Sequence, residues 1–134
     1  MLPGAIRVAI NSDQDIVLAR QKARAEATHL GFSSVDATFI ATAVSELARN
    51  ILAYAKEGEI TLLPMHGSGR VGLQVTASDK GPGIADLRQA MRDGFSTSGS
   101  LGLGLPGVRR LMDEFEIVSQ RGRGTHVVVR KWRK

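Results

Sequence analysis

The chain has no cysteine among its 134 residues, which excludes disulfides, thiolate nucleophiles and cysteine-ligated metals. Its three histidines, His29, His66 and His126, are scattered and lack the spacing of a zinc site. Aromatic residues make up 4% of it, too few to build a base-stacking surface. No run approaches the ~18 apolar residues that cross a bilayer, and the start MLPGAIRVAINSD has no long apolar stretch of a secretory signal. With no membrane segment and no cysteine, a reducing cytoplasm is the expected location.

What is present suits a folded domain. Hydrophobic residues are 43% and charged residues 23% of the chain. One domain over residues 1–134 is expected, burying roughly two-thirds of its unfolded surface. The formal charge of +5 and pI ≈ 10.2 suit nucleic acid, a phosphate-bearing ligand or an acidic partner. The basic residues are spread out except in the tail Arg130, Lys131, Arg133 and Lys134. With so few aromatics interleaved, nucleic acid is the weakest of these partners.

Periodicity and caps give the element order. Ala5 to Ile10 reads as a strand. Ser12 with Asp15 is a capping box opening a helix to about His29, closed by Gly31. Ser33 with Asp36 is a second box, opening a helix to about Ala55 with Gly58 just beyond. Glu59 to Leu63 is a short strand, and Pro64 to Gly69 a hairpin loop. Val71, Leu73, Val75 and Ala77 alternate with smaller or polar residues, as in a half-buried strand. A Gly/Pro turn from Asp79 to Ile84 precedes a weak helical stretch, Ala85 to Arg92. Gly94 to Leu103 has no periodicity and reads as a mobile loop. Pro106 suits the first turn of a helix to about Glu114. Phe115 to Ser119 and Thr125 to Trp132 are strands around the turn Arg121 to Gly124. This order predicts an α+β fold: a two-layer α/β sandwich with a mixed, mostly antiparallel sheet covered on one face by helices.

Four motifs carry candidate chemistry. On the second helix, Val35, Phe39, Ile40, Ala43, Val44, Leu47 and Ile51 fall on one broad arc. Glu46 and Asn50 fall inside it, one turn apart. An acid and an amide on a buried face must be satisfied there, either as a hydrogen-bonded pair at the edge of the core or by a metal and a nucleophile in a pocket. Asp79-Lys-Gly-Pro-Gly83 follows a strand, where a carboxylate can accept from an amine and Gly81 and Gly83 permit close backbone approach. By itself it is an ordinary turn. Gly102-Leu-Gly-Leu-Pro-Gly107 matches the letters of a dinucleotide fingerprint, but it follows a loop and is not in a first βαβ unit. A Gly-rich helix start still attracts phosphate, and Arg109 and Arg110 stand one turn in. Gly122-Arg-Gly124-Thr125 is fully explained as a hairpin turn.

In company the four mean more. A Glu-x-x-x-Asn helix, then Asp-x-Gly-x-Gly, a Gly-rich segment and Gly-x-Gly-Thr, in that order, resemble the boxes of the GHKL (Bergerat-fold) ATP-binding family over the whole chain. The stretches SELARNILAYA, DKGPGI, AMRDGFSTSGSLGLGLPGVRRLMDEFEI and GTHVVVRKW are most similar to its anti-sigma-factor kinase group, the small serine/threonine kinases of partner-switching stress pathways and the stressosome. The resemblance implies ATP and Mg²⁺ as cofactors. It implies Glu46 as the catalytic residue orienting the attacking hydroxyl, and Asn50 as the metal ligand. Asp79 would bind the adenine amine, with Gly81 and Gly83 shaping the nucleotide floor. Gly102, Gly104 and Gly107 would let a lid, about Asp93 to Leu103, close over the phosphates, and Thr125 would stand on the adenine side. Implied partners are STAS-domain proteins, phosphorylated by the chain, and a PP2C-type phosphatase that it activates. The alternative is an anti-sigma factor that mainly sequesters its partner. A histidine kinase would add a phospho-acceptor helix, and a gyrase- or Hsp90-type machine further domains. P-loop and eukaryotic-type kinases are excluded, since GxxxxGK[ST], HRD and DFG are missing.

Overall fold

A computed structural model describes residues 4–81, 104–120 and 122–134. The elements run β1 (Ile6–Ile10), α1 (Asp13–His29), α2 (Ser34–Ala55), β2 (Gly58–Gly67), β3 (Arg70–Asp79), α3 (Gly104–Leu111), β4 (Glu114–Gln120) and β5 (Gly124–Trp132). The five strands form one sheet in the order β1-β2-β3-β5-β4. A mixed sheet was expected, but every strand pairing among the described residues is antiparallel. The weak helical stretch 85–92 and the expected lid 93–103 lie outside the described residues, as do Gly83 and Gly102.

Alternation in the strands sorts the two faces. Val8, Ile10, Ile60, Leu62, Leu73, Val75, Val127 and Val129 are buried and form the sheet's half of the core. Against them α1 turns Ile16, Ala19, Ala23 and Ala27 inward. Three alanines at helical spacing let α1 approach α2 closely, which leaves α2 enclosed by α1, the sheet and α3. Burial on α2 is therefore wider than one arc and includes Ala37, Ala41, Ser45 and Ala48. Its N-terminal end is less covered than the periodicity implies, and Val35 and Phe39 are exposed.

The caps form as their residues predict. The Asp15 carboxylate accepts from the backbone N–H of Ser12 at 3.1 Å and of Asn11 at 2.8 Å. The Ser33 hydroxyl accepts from the N–H of Asp36 at 3.1 Å. Strand β2 overruns its expected end. It continues through Pro64 to Gly67, and the turn is two residues long, Ser68 and Gly69, with φ of 53° and 75°. That is the twist of a type I′ hairpin. Pro64 is tolerated because the β1 ladder ends at Ile6↔Leu62, so its missing N–H removes no bond on that side. Helix α3 stops at Leu111, short of the expected Glu114, which begins β4.

The basic tail is not a patch. Alternation along β5 sends its members to opposite faces. Arg130 lies on the open face of the sheet, bonded to Gln74 and paired with Glu114 and Glu116. The Trp132 indole N–H donates to Glu114 at 2.6 Å, and this bond, helped by Arg130, holds the Glu114 carboxyl below its ordinary range. Arg133 donates to the carbonyl of Leu30 behind α1. Lys131 points inward and is 5% exposed. Its Nζ donates to the Leu111 carbonyl at 2.8 Å and lies 4.0 Å from Asp36, 3.9 Å from Asp113 and 5.5 Å from the Phe39 ring centroid. One buried cation thus ties the end of α3 to the start of α2.

Candidate active site

A cavity opens where α2, β3, β5 and α3 meet. Leu47, Ile51, Ala77, Leu105 and Val127 give it apolar walls, and Asn50, Tyr54, Asp79 and Thr125 supply its polar groups. Asn50 and Tyr54 are successive turns of α2. Asp79 is the last residue of β3, and Thr125 the second of β5. Apolar walls with a few converging polar groups are the common form of a small-molecule site. The cavity's volume is ≈ 30 Å³, and it is partly open to solvent.

The Asp79 carboxylate is oriented by backbone. Its Oδ1 accepts from the N–H of Gly81 at 2.9 Å and of Thr125 at 3.3 Å. Among the described residues no donor meets Oδ2, which leaves that oxygen able to accept from a ligand amine. Two glycines make the arrangement possible. A Cβ on Gly81 would stand 2.5 Å from Ala55 Cβ, so a side chain there would push the Asp79 turn off the last turn of α2. A Cβ on Gly124 would collide with the Asp79 carbonyl oxygen and lie 2.8 Å from Lys80 Cα, and the φ of +99° is itself unfavourable for an L-residue. The Thr125 hydroxyl is held at 2.8 Å by Ser119 of β4.

Glu46 lies one turn before Asn50 and is 4% exposed. It is not among the residues lining the cavity. Its Oε1 accepts from Arg49 Nη1 at 2.8 Å. Gly104 and Gly107 belong to α3, are buried, and bracket Leu105, which lines the cavity. The structure therefore gathers Asn50, Asp79 and Thr125 around one cavity, with Gly81 supporting it from behind and Gly104 and Gly107 in the helix that closes it. The motifs did not point to Leu105, Tyr54, Ser119 or Arg49. Tyr54 had a signal in the sequence, standing four residues after Asn50. The inward parity that Ser119 shares with Phe115 and Ile117 on β4 was another.

A model of the histidine kinase-like ATPase domain matches residues 11–131. The chain belongs to that family. It is 54% identical over 125 residues to the serine/threonine-protein kinase RsbT of Bacillus subtilis (strain 168), a match covering 93% of this chain and 94% of that protein. It is 30% identical over 129 residues to an anti-sigma F factor of Caldanaerobacter subterraneus subsp. tengcongensis, covering 92% and 89%. Among solved structures, the mycobacterial sensor histidine kinase MprB superposes with a TM-score of 0.57 at 14% identity, over 96% of this chain and 99% of that one. The last likeness fixes the fold: the sheet with helices on one face is that of histidine kinase ATPase domains. No described helix is long and apolar enough to cross a membrane.

Proposed function

We propose that the chain is a cytoplasmic serine/threonine-protein kinase. It transfers the γ-phosphate of ATP to a STAS-domain partner of a partner-switching stress pathway and, once released, activates a PP2C-type phosphatase. The observation that supports this most is the cavity whose apolar walls converge on one oriented carboxylate, in a chain more than half identical to a protein kinase. An adenine ring suits the apolar walls, and its exocyclic amine suits the open Oδ2 of Asp79. Among the described residues no three His, Asp or Glu side chains gather as a metal site. The single amide of Asn50 fits Mg²⁺, which takes few protein ligands and completes its shell with phosphate and water. Bound there, Mg²⁺ would neutralise charge on the phosphates.

The remaining work falls to the chain's own groups. The partner's hydroxyl oxygen attacks the γ-phosphorus while the bond to the β–γ bridging oxygen breaks, and ADP leaves with that electron pair. Glu46 orients the hydroxyl and receives its proton. A loose phosphoryl transition state needs orientation more than proton abstraction.

Asp79→Asn is expected to weaken ATP binding by about 1–3 kcal/mol, the worth of a hydrogen bond to a charged group. The Asn oxygen can still accept from Gly81 and Thr125, but its amide nitrogen would face the adenine amine donor to donor. Calorimetry giving wild-type affinity would remove Asp79 from the base site.

Transfer itself is tested with [γ-³²P]ATP and purified STAS-domain protein, the acceptor residue being mapped by mass spectrometry. Asn50→Ala should abolish metal-dependent transfer. Glu46→Gln should bind ATP and lose about 10²-fold in rate, the lower end for a positioned base. A stable nucleotide-dependent complex with no labelled partner would instead support sequestration, the reading favoured by the anti-sigma F likeness.

A further inference from the structure

We infer that Arg49 is a positioning residue for the Glu46 carboxylate, holding it in the one orientation from which it can meet an attacking hydroxyl. This rests on the reading of Glu46 given above. Arg49 stands three positions after Glu46 on α2, so their side chains share a face of the helix. Arg49 Nη1 stands 2.8 Å from Glu46 Oε1, the short distance of a charge-assisted bond. The two partners differ sharply in exposure. The Glu46 side chain is 5% exposed and that of Arg49 37%. A carboxylate taken that far from water is costly without a cation, and the guanidinium is one of the groups that hold it.

The geometry also separates the pair from the nucleotide's polar contacts. Asn50, the next residue after Arg49, faces the cavity, while Glu46 is set one turn back and does not line it. A glutamate has three side-chain torsions, and the ion pair restrains the last of them by engaging one named oxygen. Orientation of the second oxygen is then set by the first. The part-exposed guanidinium on the same turn ties the buried acid to the edge of α2.

The reading is tested by a double-mutant cycle in the transfer assay, every rate divided by the folded fraction from thermal melts. Arg49→Gln should lower the maximal rate roughly ten-fold and leave the KM for ATP unchanged, a milder loss than the ~10²-fold of a reacting group misplaced by 1 Å. Arg49→Lys, which restores the charge without the planar fork, should fall between Arg49→Gln and wild type. In the Glu46→Gln background, Arg49→Gln should change the rate by less than about two-fold, because a positioning residue has nothing left to position. A slow Glu46→Gln beside a wild-type Arg49→Gln would overturn this inference and leave Glu46 its role. Full additivity would overturn it too, by showing that Arg49 acts independently of Glu46. A wild-type rate for Glu46→Gln alone would end the catalytic reading of Glu46, and this inference with it.

Discussion

Gly124→Ala should unfold with a midpoint roughly 10–20 °C below the parent chain, a loss of about 3–5 kcal/mol, at the severe end for one methyl group. Three physical terms combine. A φ of +99° suits glycine alone. The new Cβ would run into the carbonyl oxygen of Asp79 and crowd Lys80 Cα at 2.8 Å, and both are backbone atoms that cannot rotate away. To make room, β5 must part from the end of β3, which costs the bond from Thr125 N–H to Asp79. Nucleotide affinity should fall in the same variant even at temperatures where it stays folded. Gly122→Ala serves as a control: its φ of +80° is also positive, but a Cβ there meets nothing within 4 Å. It should lose only the ~1–2 kcal/mol of the backbone term. Equal stability in the two variants would mean that the contact with Asp79 contributes nothing.

Lys131→Met should cost about 2–3 kcal/mol in urea unfolding. Methionine keeps the length and apolar character of the stem, so the loss isolates the ammonium. Without it the Leu111 carbonyl loses its donor, and Asp36 and Asp113 face each other's charge across the place the cation held. Breaking a fully buried pair costs about 3–5 kcal/mol. Here the Asp36 and Asp113 side chains are 16% and 34% exposed, so water relieves part of that. A variant as stable as wild type would show that the stem's packing alone accounts for Lys131.

The strands and caps were legible because they rest on local rules. Alternation placed β3, the turn Arg121 to Gly124 placed β5, and Ser12 with Asp15 announced α1. The end of β2 was misread because Pro64 was taken as a stop. Whether a proline ends a strand depends on the neighbouring strand, here β1, which has already finished. The helical period turns Val35 and Phe39 inward, but they lie on the flank of α2, while Ala37, Ile40 and Ala41 on the same turns are buried. At the cavity, motif order names Asn50, Asp79 and Thr125 but not Tyr54. The apolar walls were not legible, since Leu105 and Val127 resemble any core residue until four elements converge. Lys131 was grouped with its charged neighbours, although its parity with Val127 and Val129 on β5 already turned it inward. Arg49 was also visible three residues from Glu46, but sequence spacing does not say which of several nearby charges makes the pair.

The anchored end of α3 makes that helix a lever. Leu111 is pinned by Lys131, while Leu105, which lines one wall of the cavity, sits ~9 Å away at 1.5 Å per residue. A tilt of roughly 15° about the pinned end moves the Leu105 backbone by ~2 Å over that arm. That wall is then reshaped by rotating one short rigid rod about its fixed end, with the sheet and α2 left unchanged. The stiffness of that wall is set by a lysine at the opposite end of the helix from the cavity.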